Sequence, residues 1–486
     1  MAENTGQDLK AEKTNVLIVD WDGPSDPENP RNWTLRKKWI SLTAVSAFAF
    51  MSPVSSSMAA PASAQIADEF HISGSLAAMT VSIFVLAYAV GPLALGPLSE
   101  IFGRSRVLQI ANLWFLAWNI GCGFAQNANQ LIAFRFLAGI GGSAPVSISG
   151  GVVGDMFTPE QRGQAVAIYA LIPLLGPIIG PIAGGWIAER STWRWVYYST
   201  SILDAIIQVL GTLFLAETYA PFLIERKARR IRKAMSEEES GRVEVRTKFD
   251  AAERHWKAIF SKAMFRPITL MLHEPILVFL TAYSVFGMGV LYIFLTTLPS
   301  IYLHAYGEQP GIAALHYIAL GLGLVFAAQT NARLLDRVYR HLQSKNNGVG
   351  KPEFRLPTMI PGTILMPTGL LISGWAAQKH YHWIVVDIGT ALVGASMMFI
   401  SQSTQSYVID TFSLYAASAL AGVSCLRSIG GFAFPLFAPP MYNSLGYGKG
   451  NTVLAAVAIG IGCPAPILLW IYGERIRKAS RFARKK

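Results

Sequence analysis

Hydrophobic runs long enough to span a bilayer recur twelve times along the chain. They come as two sets of six, parted by a polar, basic insert near residues 217–268. The runs fall near 39–60, 76–98, 107–125, 130–153, 164–188, 195–216, 271–298, 312–332, 357–375, 383–404, 412–438 and 451–473. Each has about 20 residues or more, the length an α-helix needs to cross ~30 Å of hydrocarbon. Lipid offers no hydrogen-bond partners, so such runs must satisfy their backbone within helices. The predicted fold class is all-α integral membrane, with twelve transmembrane helices in two pseudo-symmetric six-helix bundles. The pattern divides the chain into an N-terminal tail (1–38), a first bundle (39–216), a linker (217–270), a second bundle (271–473) and a basic tail (474–486). The first tail reads as disordered up to Arg36-Lys37-Lys38. Residues 225–234 of the linker read as a basic amphipathic helix on the inner membrane surface.

The composition agrees: 52% of residues are hydrophobic and 14% charged, where a soluble chain carries roughly 25% charge. The net charge of +12 invites a nucleic-acid partner, but its placement argues against one. All but six of the 41 Lys and Arg fall on one side of the predicted membrane. Arg190, Arg194, Lys379 and Lys449 lie on the other, and Arg135 and Arg427 within spans. That asymmetry is the positive-inside pattern, and it predicts both termini in the cytoplasm of a multi-pass plasma-membrane protein. The first apolar run is too long for a cleaved signal and reads as a signal anchor. Cys122, Cys425 and Cys463 all fall within spans and read as packing residues, not a disulfide framework. The sequon at Asn32 lies on the cytoplasmic side and is expected to stay unmodified.

Two loops on that side repeat a pattern six spans apart. One holds Gly96, Leu98, Glu100, Gly103 and Arg104; the other holds Ala332, Asp336 and Arg340. In both, a small residue precedes an acid by four positions and an Arg follows it by four. The glycines permit a tight turn and close approach, and acid and arginine can pair across neighbouring helix ends as a latch. Span 5 carries Gly176, Gly180 and Gly184 on one face, with Gly185 beside them, and Pro173, Pro177 and Pro181 on the next stripe. Small residues at this spacing let another helix approach closely, and the prolines are expected to bend the helix.

With Arg135 followed four positions later by Gly139, these motifs resemble the major facilitator superfamily. More narrowly, the chain resembles fungal twelve-spanner drug:proton antiporters. Further markers are Asp26-Pro-Glu-Asn-Pro30, Trp193-Arg194-Trp195, Glu217-Thr-Tyr219, His273-Glu-Pro275, Pro352-Glu-Phe-Arg355, and Arg427 with Pro435-Leu-Phe437. Glu100 stands where the family pattern has Asp. The resemblance implies an antiporter-type span 5 and a proton-coupling role for Arg135. A structural clamp within the bundle is the other reading of that arginine. An ionisable group at membrane depth costs roughly 2.5–3.5 kcal/mol on insertion scales and is by default a functional candidate. Asp204, Glu274 and Arg427 therefore join Arg135 as proton-coupling candidates. Asp387 reads equally as an acid near the outer interface. Substrate contacts near the midplane are expected from Phe50, Tyr88, Tyr169, Tyr283, Tyr292 and Tyr415.

No phosphate-binding glycine loop with its Lys and hydroxyl occurs, so ATP drive is not suggested. No metal or redox motif is present either, and no cofactor beyond a proton gradient is expected. The sequence thus points to a monomeric secondary transporter. Its expected partners are a small-molecule substrate, protons and the lipid bilayer, with no nucleic acid. The leading expectation is a proton-coupled exporter of a small amphipathic organic compound by alternating access. The alternatives are an importer or facilitator of a polyamine, sugar or organic acid, and a non-transporting membrane sensor on the same fold. An enzyme is not expected.

Overall fold

A computed structural model describes residues 15–235, 243–249, 256–480 and 482. The first bundle holds α1 (Leu35–Met58), α2 (Ser63–Phe70), α3 (Gly74–Phe102), α4 (Arg104–Gly123), α5 (Ala128–Gly142), α6 (Ala144–Met156), α7 (Pro159–Arg190) and α8 (Arg194–Phe214). After α9 (Ala220–Ala234) and α10 (Trp256–His273) comes the second. It holds α11 (Pro275–Ala305), α12 (Pro310–Leu315), α13 (Tyr317–Lys345), α14 (Ile360–Gln378), α15 (Trp383–Thr411), α16 (Ala416–Gly462) and α17 (Pro464–Ala479).

Among the described residues, ten helical segments are long and apolar enough to cross a bilayer. One of them, 416–478, contains Gly446, whose φ of 76° and ψ of 169° reverse the chain. The 20-residue α4 carries too little hydropathy to be counted with them, yet spans the gap between α3 and α5. The arrangement is consistent with twelve crossings. Outward faces are apolar, as lipid requires: Leu203, Ile206, Leu210 and Leu213 on α8 are all exposed.

Side-chain capping starts several helices. Thr34, Ser73 and Asn127 each accept from a backbone N–H three residues on. Span 4 is not one helix: it breaks at Ser143, before the proline at the second position of α6. Span 8 runs on as α13 to Lys345, so the second acid–arginine motif lies on a helix, not in a loop. Gly96, Leu98 and Glu100 likewise lie on α3, and the turn comes only at Gly103.

The tail departs further from expectation. Residues Asn15–Val19 form strand β1, paired in parallel with β2 (Val243–Thr247) in the linker. The apolar side of α9 packs on this sheet. Ile224 and Ala228 are buried with Val19 and Val245 against this two-stranded sheet. Lys227 reaches Asp22 at 2.5 Å, joining tail to linker a second time. The backbone N–H groups of Asp22 and Glu28 both lie 2.8 Å from the Asp26 carboxylate, which holds its carboxyl below the ordinary value. These contacts order the segment that leads into α1.

Candidate functional site

Depth follows from position along each helix, at 1.5 Å per residue. Arg135 is the eighth residue of α5, a helix that starts at the face away from the termini. It lies ~10 Å from that start, so it is off the bilayer centre. Its guanidinium is fully buried and, among the described residues, faces no carboxylate. Nε donates to Thr80 O at 3.1 Å, Nη1 to Ser55 O at 2.9 Å, and Nη2 to Ser56 O at 3.2 Å and Val81 O at 3.3 Å. Phe84 covers it at 4.6 Å from the ring centre. The carbonyl clamp is the reading this geometry favours. Arg135 ties α5 to the ends of α1 and α3.

Arg427 contrasts with it. It lies twelve residues into α16, at mid-depth, and makes one side-chain hydrogen bond, Nη1 to Ser401 Oγ at 3.3 Å. Its Nε has no partner among the described residues. Tyr292 lies within electrostatic reach of both arginines, and its hydroxyl meets Ser56 Oγ at 2.9 Å across the two bundles. Tyr88 bonds Ser52, which in turn donates to Gly142 O. Tyr88, Tyr292, Ser52 and Ser56 thus gather between the bundles.

The other ionisable candidates separate. Asp204 is fully buried midway along α8; Asn112 Nδ2 donates to its Oδ2 at 3.0 Å, and Oδ1 has no partner among the described residues. It faces α4 inside the first bundle, not the space between bundles. Glu274 lies just before α11 and is buried by the far end of the chain. It accepts from Ser480 Oγ at 2.7 Å and from the Phe482 N–H at 3.4 Å. That is a clasp on the C-terminal segment rather than a carboxyl in a path. Asp387 lies five residues into α15, near the face away from the termini, bonded to Tyr302 and His316.

The latch has different partners from those expected. Glu100 is exposed, and Arg104 pairs with Asp155 at 2.7 Å, on the last turn of α6. Glu217 caps the start of α4, accepting from the Arg104 N–H at 2.9 Å and the Ser105 N–H at 3.1 Å. Gly103, at φ 96°, leaves room for that carboxylate, which a Cβ would strike. In the second bundle, Arg340 Nε bonds only the backbone oxygen of Asp336. The ionic partner is Arg355, 3.2 Å from Asp336 and 2.9 Å from Asp410 on the last turns of α15. Asp155, Glu217, Arg355 and Asp410 had no local signal for these roles, because each acts on a residue more than fifteen positions away.

On α7 the glycine face packs against α1. A Cβ at Gly180 would meet Ser57 Oγ at 2.7 Å and Val54 O at 2.8 Å, and Gly176 and Gly184 abut Pro53 and Met58. Gly185 instead faces α12 of the other bundle, 2.8 Å from Pro310 O by the same measure. Pro173, Pro177 and Pro181 lie within one continuous 32-residue helix. Among the aromatic candidates, Phe50 packs in the first bundle's core with Tyr169. Tyr283 is buried against Gly462 inside the second. Tyr415 is not near the midplane at all: it lies before α16, edge-on to Phe482 and under Arg266.

Comparison with known proteins places this geometry. Residues 45–435 match the model of the Major Facilitator Superfamily. The chain is 44% identical over 467 residues to "Efflux pump vrtL" of Penicillium aethiopicum, covering 96% of this chain and 91% of that protein. It is 41% identical over 483 residues to "Efflux pump radE" of Floropilus chiversii, covering 99% and 88%. Among solved structures, a partially occluded inward-open form of the xylose transporter XylE from E. coli superposes with a TM-score of 0.66 at 15% identity. That match covers 90% of this chain and 98% of XylE.

Proposed function

The chain belongs to the major facilitator superfamily, and we propose that it is a proton-coupled antiporter exporting a small amphipathic organic compound by alternating access. Membership makes it a multi-pass membrane transporter of small molecules. Export is the activity named in its fungal relatives. A drug, toxin or secondary metabolite is the substrate class proposed, carried by a monomer of the plasma membrane with both termini in the cytoplasm.

One observation carries the alternating-access reading. Among the described residues, the hydrogen bonds joining the two bundles are Ser56 to Tyr292 and the Gly311 N–H to Glu189 Oε2, at 2.9 and 2.7 Å. The second lies at the end away from the termini, and the first lies toward it. Two bundles whose hydrogen bonds, among the described residues, gather toward one end fit one stage of a two-stage cycle. Asp204 supports proton coupling as a fully buried acid with no cation beside it and one oxygen free. Arg427 supports it as the mid-depth cation with a free Nε, able to sense charge on a bound compound or a nearby acid.

The test is untargeted metabolite profiling of cells expressing the protein or its Asp204→Asn variant. Compounds that the wild type depletes from cells should accumulate with the variant, and an inward proton gradient, acid outside, should no longer drive their efflux. Efflux that responds to the gradient equally in both would overturn the assignment.

A further inference from the structure

The geometry points to a proton-binding site formed by Glu308, His316 and Asp387, built around the short helix that closes the face away from the termini. His316 sits at the junction of α12 and α13. Its Nδ1 lies 2.9 Å from Asp387 Oδ2 and 3.0 Å from Oδ1, and its Nε2 lies 3.0 Å from Glu308 Oε2. A neutral imidazole has one N–H and one lone pair, and ionised carboxylates only accept. Two carboxylates on the two ring nitrogens therefore require one more proton than a neutral ring with two carboxylates carries. The ring is an imidazolium donating both ways, or one acid is protonated. In either form the cluster holds a bound proton, and removing it sets an acceptor against an acceptor.

The surroundings fit that role. Tyr302 donates its hydroxyl to Asp387 Oδ1 at 2.8 Å, and its ring stacks on the imidazole at 3.6 Å with 4° between planes. An aromatic face favours a cation. His316 and Asp387 are each 8% exposed, while the Glu308 side chain is 19% exposed, so Glu308 offers the route to solvent. The titratable groups on His316 are Tyr302 from α11, Glu308 from the next loop and Asp387 from α15, and Tyr306, just past the end of α11, lies against Tyr302. His382 lies behind Trp383, and His380 lies behind Tyr306. From α7 come Glu189 and Arg190, the latter lying over Trp186.

The site's location gives it a consequence. Glu308 and His316 bracket α12, which packs against α7 of the first bundle. The Gly311 N–H donates to Glu189 Oε2 at 2.7 Å, and Ala314 abuts Gly185. A bound proton draws Glu308 and Asp387 together through His316 and seats α12 against α7. Losing it releases α12. The site's part in a transport cycle rests on the exchange proposed above: a proton taken from outside closes the outer face, and its loss permits reopening.

Spin labels test this without any transported compound. They are placed on cysteines replacing the exposed Ser191 and Gln309, in the full chain with Cys122, Cys425 and Cys463 replaced by serine. Distances are read in lipid nanodiscs across the range from about pH 5 to about pH 9, where histidine sites titrate. The wild type should show one short distance at the acid end and a growing longer population as pH rises. His316→Gln should remove the pH response. Glu308→Gln, which keeps a hydrogen-bond acceptor but loses a negative charge, should shift the midpoint to lower pH. Glu189→Gln retains the cap on α12 and should leave the midpoint unchanged. A wild-type distance that ignores pH overturns the site, as does an unchanged midpoint in His316→Gln or Glu308→Gln, or a lost response in Glu189→Gln. Failure of the Asp204→Asn efflux test would leave all four readings intact, so the two assignments fall separately.

Discussion

Arg104 lies 2.7 Å from Asp155, joining the turn after α3 to the last turn of α6. Its counterpart in the second bundle is Arg355, 2.9 Å from Asp410 at the end of α15. In both bundles an arginine beyond the second span anchors the acid that ends the fourth. Both side chains of the first pair are largely buried, so breaking it strands a charge. Asp155→Ala should lower stability by about 1–3 kcal/mol, and the Arg104→Asp, Asp155→Arg double swap should recover part of the loss. Glu100→Gln, at an exposed position, should stay within about 0.5 kcal/mol of wild type. Thermal unfolding in detergent checks all three.

Arg135 donates to four backbone oxygens, and those of Ser55 and Ser56 lie in the last turn of α1, where helical N–H groups run out, so its removal leaves buried acceptors empty. Arg135→Ala should cost about 3 kcal/mol or more and lower the amount of folded protein. Arg135→Lys keeps the charge but cannot serve the same fork of carbonyls. It should fold with reduced stability and transport. Comparing melting temperature with efflux in the two variants separates a clamp from a coupling residue. Full stability with lost efflux in Arg135→Ala would favour coupling.

Gly180 has backbone against it and Gly150 has open space. Gly180→Ala must push α7 away from α1 and should cost about 1–3 kcal/mol. Gly150→Ala, in α6, should be neutral or stabilising by up to about 1 kcal/mol, since alanine favours the helix. Paired unfolding curves of the two variants decide whether close approach or composition matters.

At the face away from the termini, Arg194 holds Glu69 in a two-pronged contact at 2.7 and 2.9 Å, and Trp193 Nε1 donates at 2.7 Å. The Arg194 hydrogen bond pulls the Glu69 carboxyl below its ordinary value of 4.5. A carboxyl depressed on folding contributes stability above its unfolded value and loses it as pH falls through the folded one. The advantage of wild type over Glu69→Gln should therefore be present near neutral pH and shrink below pH 4.5. Melting temperatures of both proteins across that range test the sign.

Legibility followed the reach of each signal. The spans were readable because lipid imposes one composition over about 20 residues. The helix ends were less so: α13 continues to Lys345 in a polar stretch, since a helix need not stop where the hydrocarbon does. The break at Ser143 left a trace in Pro145, although α7 carries three prolines without breaking. The strand at Asn15–Val19 was readable in principle, as its four consecutive apolar residues follow a polar stretch, but its partner lies more than two hundred positions away. Charge partners were the least visible. Asp155, Arg355, Glu217 and His316 take their roles from contacts with segments distant in sequence; the motifs that hold Glu217 and Arg355 mark the family without naming a partner, and Asp155 and His316 lie in no motif.

The pairing of β1 with β2 shortens the leash between the two bundles. The connection is held as far as Lys248, whose N–H donates to Val19 O at 3.2 Å, because the strand and α9 are pinned back to the segment before α1. The alternating access proposed above is thus restrained partly by the five-residue strand β1. Trimming those residues would hand the missing length back to the tether.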